Sequence, residues 1–147
     1  RRDRRQPLSF ICSDLKDISQ YARVSDNAYK IMRRLLPGPY TFILEASRAV
    51  PKIILPKRQT TGIRVPDNRI CQALVAEMGA PIISTSVKDE DGELLSDPRI
   101  IQERFGKRVD MIIDGGIIAA TPSSVISLLD EGVAVIREGK GDVSAFV

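Results

Sequence analysis

The chain has 147 residues, 43% of them hydrophobic and 28% charged, with a net charge of +3, which is the size and balance of one ordinary globular domain with its own core. No apolar run approaches the roughly 18 residues needed to cross a bilayer, and none at the N-terminus has the make-up of a signal peptide, so a soluble cytoplasmic protein with no membrane partner is expected. Histidine is absent, which within this chain excludes His-based acid, base or triad chemistry and Cys/His zinc sites, and leaves positioning and charge stabilisation by Arg, Lys, Ser, Thr and backbone donors.

The chain opens with Arg1-Arg2-Asp3-Arg4-Arg5, a run that reads either as a solvated end or as a phosphate-binding edge for a nucleotide or RNA. Residues 8–13 (LSFICS) form a short apolar strand. Asp14 then opens a helix in which Leu15, Ile18, Tyr21 and Ala22 recur at helical spacing. A second helix starts at an N-cap in Ser25 or Asp26, turns Ala28, Ile31, Met32, Leu35 and Leu36 to one face and Lys30, Arg33 and Arg34 to the other, and is stopped by Pro37-Gly38-Pro39. A strand is expected over 40–46 (YTFILEA), an irregular loop or single turn over 50–59, and a further strand over 60–65 (TTGIRV).

Residues 69–79 read as a helix with Ile70, Leu74 and Met78 inward, ended by Gly79, and PIISTS after it as a buried strand. The acidic stretch 87–95 reads as an exposed loop, and Asp97-Pro98 as a capped helix start running through Ile100, Ile101 and Phe105. VDMIID, SVISLL and VAVIRE give three last strands. Cys12 and Cys71, each among apolar neighbours, are expected to be buried free thiols. Interleaved strands and helices followed by a strand-rich end indicate an α/β domain with one mixed sheet and helices packed against it.

Polar residues collect at the strand ends, where open α/β sheets place ligands: Thr60 and Thr61, Ser84 to Ser86, Ser123 and Ser124, and Arg137. Gly115-Gly116 lacks the spacing of a dinucleotide fingerprint. Alternation turns Arg64 away from Ile63 and Val65, towards either water or a cleft, and Pro66 stiffens the turn that follows.

Six segments in order (PGPYTFIL, GIRVPDN, PIISTS, DGG, TPSSVISL and IREGKGD) resemble the YrdC-like threonylcarbamoyl-adenylate synthases, most closely their YciO-like branch, over nearly the whole chain. The resemblance implies a single twisted mixed sheet with flanking helices and a concave basic cleft, and a nucleotidyltransferase that joins L-threonine, bicarbonate and ATP, with Mg²⁺, into threonylcarbamoyl-AMP and pyrophosphate. The product serves N6-threonylcarbamoyladenosine formation in tRNA. The same likeness implies tRNA or double-stranded RNA as a partner, and a non-catalytic RNA-binding module as the alternative.

By motif, Arg64 resembles the arginine that grips the threonine carboxylate or threonylcarbamoyl group, and Arg2 the arginine of the family's K-x-R. Thr60, Ser86 and Arg137 resemble ATP contacts, and Thr85 and Ser123 threonine contacts. The family's Ser-x-Asn reads Ser86-Val87-Lys88 here, and its N-terminal Thr-Asp/Glu-Thr-x-Tyr-Gly-Leu strand is not among residues 1–147. The expectation is thus one YrdC-like domain lacking that strand segment.

Overall fold

The computed structural model describes residues 8–52, 55 and 58–147. Six strands in it form one mixed sheet: β1 (Ser9–Ile11), β2 (Tyr40–Glu45), β3 (Thr60–Arg64), β4 (Ile82–Ser84), β5 (Ser124–Ser127) and β6 (Ala134–Arg137). Their spatial order is β4-β1-β3-β2-β5-β6. β1 runs parallel to β3, and β2 parallel to β5, while the pairs β1–β4, β2–β3 and β5–β6 are antiparallel.

Strand alternation sorts the residues onto two faces. One face carries Phe10, Phe42, Leu44, Ile63 and Ile126, all buried, in a single apolar cluster with Ile18 from helix α1 (Ile18–Tyr21) and Ala28 and Met32 from helix α2 (Asp26–Leu35). Removing side chains of this size from water is worth about 1.5–3 kcal/mol each, so this face holds the sheet together. The other face is half-buried, and one row across it reads Ser84, Ser9, Gly62, Ile43, Ser127. Gly62 is needed in that row because a Cβ would come within 2.8 Å of the Ser9 hydroxyl and 3.2 Å of the Thr41 methyl.

α2 follows the expectation closely. Ser25 caps it, accepting from the Ala28 amide at 3.1 Å, and Arg33 and Arg34 lie in the last turn, where the helix dipole favours cations. The helix expected from Asp14 is shorter: only Ile18–Tyr21 is helical, and Asp17 makes no side-chain cap bond. Helix α3 (Arg69–Met78) turns a different side inward than its spacing suggested. Val75 is its buried residue, whereas Ile70, Leu74 and Met78 are exposed. β4 is an edge strand with Ile83 exposed, not the buried strand expected.

Chain contacts divide the protein into two compact units, residues 1–85 with 123–147, and residues 86–122. The second contains helix α4 (Pro98–Phe105), capped by Asp97, which accepts from the Arg99 amide at 2.9 Å. It also contains an acidic turn in which the Asp89 carboxylate accepts from the Asp91 and Glu93 amides. The strand expected at 109–114 does not form. Val109, Met111 and Ile113 alternate as a strand would, yet they are exposed and pair with no ladder. Alternation supplies one strand's pattern; pairing requires a neighbour.

Candidate functional site

Arg64 closes β3. Its neighbours Ile63 and Val65 are 0% and 2% exposed, which forces its side chain to the opposite, half-buried face. The backbone around it is held on both sides. The Arg64 carbonyl accepts from Cys12 N–H at 2.9 Å, and the Val65 carbonyl accepts from Gly38 N–H at 2.9 Å. The turn beyond is braced as well, with the Asn68 side chain accepting from the Cys71 amide and Gln72 donating to the Pro66 carbonyl. A fixed backbone thus presents a guanidinium whose Nε is buried and has no partner among the described residues. An unmet buried donor on a charged group costs several kcal/mol by order of magnitude, a cost that a bound acceptor would remove. Burial pulls the Arg64 guanidinium below the usual arginine range; Cys71 opposes this and the charge of Arg137 adds to it.

One step beyond the paired residues Phe42 and Ile63, the β2–β3 ladder brings Thr41 opposite Arg64. Thr41 is 6% exposed, and its Oγ1 lies 2.7 Å from Ser123 Oγ. Arg137 closes the row from β6: its Nε and a terminal nitrogen donate to the Ser123 carbonyl at 3.1 and 2.7 Å, and the same nitrogen reaches Ser123 Oγ at 3.4 Å. Ser124, fully buried, donates to the Gly141 carbonyl at 2.6 Å and accepts from the Gly139 amide at 2.9 Å. Tyr40 adds a third tie, donating from its hydroxyl to the Asp142 carbonyl at 3.0 Å. Gly141 packs on the Tyr40 ring, where a Cβ has no room.

The structure therefore gathers Arg64, Ser123 and Arg137 of the residues singled out in sequence, and adds Thr41; Ser124, also noted at that strand end, lies on the opposite face, where its hydroxyl is taken up by the Gly139 and Gly141 backbone. Thr41 escaped notice because threonine is an ordinary strand former, although alternation from Phe42 puts it on the Arg64 side. Thr60 stands at the far end of β3, lining a cavity of about 600 Å³ with Arg23, Glu45, Arg58 and Asp130. Thr85, exposed, follows β4 on that same side of the Gly62 row. Ser86 and Lys88 belong to the second unit, where both are exposed and Lys88 bridges to Leu94. Arg2 lies outside the described residues.

Comparison with known proteins bears on this arrangement. The family described as "Telomere recombination" (Sua5/YciO/YrdC) matches residues 1–139. The uncharacterized protein YciO of Escherichia coli K12 is 43% identical over 142 residues, covering 95% of this chain and 69% of its own length. The crystal structure of E. coli YciO superposes with a TM-score of 0.94 at 41% identity, covering 99% of this chain and 71% of that one. A putative threonylcarbamoyl-AMP synthase of Methanocaldococcus jannaschii is 35% identical over 140 residues, 95% of this chain and 65% of that protein. Pyrococcus abyssi Sua5, in a crystal structure complexed with L-threonine, gives a TM-score of 0.86 at 26% identity over 94% of this chain and 41% of that one. A match over nearly the full length in sequence, joined to the same sheet in three dimensions, makes the conclusion plain: the chain belongs to the Sua5/YciO/YrdC family.

Proposed function

We propose that the protein joins L-threonine, bicarbonate and ATP into threonylcarbamoyl-AMP with release of pyrophosphate, supplying the threonylcarbamoyl group for tRNA modification. The observation that carries this reading is the buried Nε of Arg64, without a partner among the described residues, in one strand-end row with the Thr41–Ser123 hydroxyl pair and Arg137. The name of the Methanocaldococcus jannaschii relative, a putative threonylcarbamoyl-AMP synthase, supports the same reaction, and the L-threonine complex of the P. abyssi Sua5 structure supports the amino-acid substrate.

In this reading Arg64 takes the threonine carboxylate, Ser123 holds the amino-acid part beside it, and Arg137 meets the nucleotide; Thr85, Thr60 and Ser86 are carried on their motifs alone, the first as a threonine contact and the other two as nucleotide contacts. Arg2 is carried on its motif as a second catalytic arginine. The threonine amine and bicarbonate form a carbamate with loss of water; a carbamate oxygen attacks the α-phosphorus of ATP, and pyrophosphate leaves. Every reactant brings negative charge, so fixed guanidinium and hydroxyl donors lower the barrier by holding these charges together. Among the described residues no cluster of three or more His, Cys, Asp or Glu side chains is placed to hold a metal ion. Mg²⁺ would therefore enter on the phosphates of ATP, as it ordinarily does, and supply charge neutralisation there.

The test is a pyrophosphate-release assay on purified protein with each reactant omitted in turn. Release is expected only with all three present, and Arg64→Ala should bring it to background. Release that ignores threonine and bicarbonate, or full turnover by Arg64→Ala, would refute the assignment.

A further inference from the structure

The proton count at Ser123 says what kind of atom this corner receives. Thr41 is almost wholly buried, and its hydroxyl has one hydrogen-bond partner among the described residues, Ser123 Oγ at 2.7 Å. A buried hydroxyl that fails to donate leaves its proton unsatisfied at a cost of about 1–3 kcal/mol, so Thr41 is the donor of this pair. Its rotamer is set by packing, because its methyl lies against the space above Gly62. Ser123 Oγ also faces a terminal N–H of Arg137 at 3.4 Å. Both acceptor positions of the Ser123 oxygen are thereby turned inward, towards Thr41 and Arg137. Its own proton is left for the half-exposed side.

We infer that Thr41 is a positioning residue that holds the Ser123 hydroxyl as an obligatory donor, so that the corner formed by Arg64, Ser123 and Arg137 presents donors only and takes an anionic oxygen. A carboxylate or phosphate oxygen meets three donors there; an amine meets none that accepts. This deepens the reading under Proposed function, which places a carboxylate at Arg64, but the selection of oxyanion over amine follows from the proton count whatever reaction the protein performs.

The test titrates purified protein with acetate, inorganic phosphate and ethylamine, following amide shifts of the Ser123–Ser124 segment by NMR. Saturable shifts are expected with acetate or phosphate and none with ethylamine. Thr41→Val keeps the shape and removes the proton; it should weaken oxyanion binding roughly three- to tenfold. Thr41→Ser restores the hydroxyl and should bind as the parent does. In a Ser123→Ala background, Thr41→Val should have no further effect, because the residue acts through Ser123.

Wild-type protein that binds neither anion overturns the inference. So does Thr41→Val binding like the parent, Thr41→Ser losing as much as Thr41→Val, or an undiminished Thr41→Val effect without Ser123. Oxyanion binding with this mutant pattern but no pyrophosphate release would instead overturn the reaction and leave the inference standing.

Discussion

Two residues show how burial redirects chemistry at the level of single side chains. Arg64 is half-buried: its Nε is out of reach of solvent and has no partner among the described residues, while the accessible part of the side chain is what an acceptor group could approach. Cys12 shows the opposite outcome. Burial, with Asp17 and Asp14 adding repulsion, pushes its thiol from 9.0 to about 12. It is thereby kept protonated and unreactive, since the thiolate is the nucleophile. Neutral-pH alkylation of the native protein, followed by peptide mass analysis, should leave Cys12 unmodified, and early labelling there would contradict the packing. The sign of the pH effect follows. Because the folded state keeps a proton that the unfolded chain gives up, stability from this group is complete below about pH 9.0 and is lost as pH rises towards 12. The loss is at most about 1.4 kcal/mol per pH unit. Cys12→Ala should flatten that alkaline slope in denaturant titrations; an unchanged slope would assign it to other groups.

At the scale of elements, the helix-bearing face of the sheet depends on Phe42, 0% exposed at the centre of the cluster. Phe42→Ala should cost about 3–5 kcal/mol by chemical denaturation, and a loss below about 1 kcal/mol would mean that the core is not packed as described. Elements whose pattern and local chemistry agreed were legible in the sequence. α2 had its serine cap, apolar face and Pro-Gly-Pro stop, and α4 its Asp97-Pro98 start. Where they failed, the missing information was tertiary. The apolar residues of α3 were sound helix positions, yet its inward side was decided by tertiary packing, and Val75 went in while Met78 stayed out. Residues 109–114 had strand composition without a strand to pair with.

At the scale of the whole molecule, the candidate site exists because strand order brings distant segments into one row. Arg64 from β3, Thr41 from β2, Ser123 before β5 and Arg137 from β6 are adjacent only through the pairings β3–β2, β2–β5 and β5–β6. Motif resemblance singled out three of these four residues, since each stands at a strand end within one of the quoted segments. It could not find Thr41, whose importance is a matter of cross-strand register; that Thr60 stands at the opposite end of β3 from Arg64 was already legible in the strand expected over 60–65. The central claim is that the Arg64 guanidinium receives a carboxylate. Calorimetric titration with L-threonine and with its amide, which lacks that charge, tests it most directly. The account predicts that wild-type protein binds the acid and discriminates against the amide, and that Arg64→Ala weakens binding of the acid roughly 10- to 100-fold; equal binding of L-threonine by Arg64→Ala and wild type would contradict it.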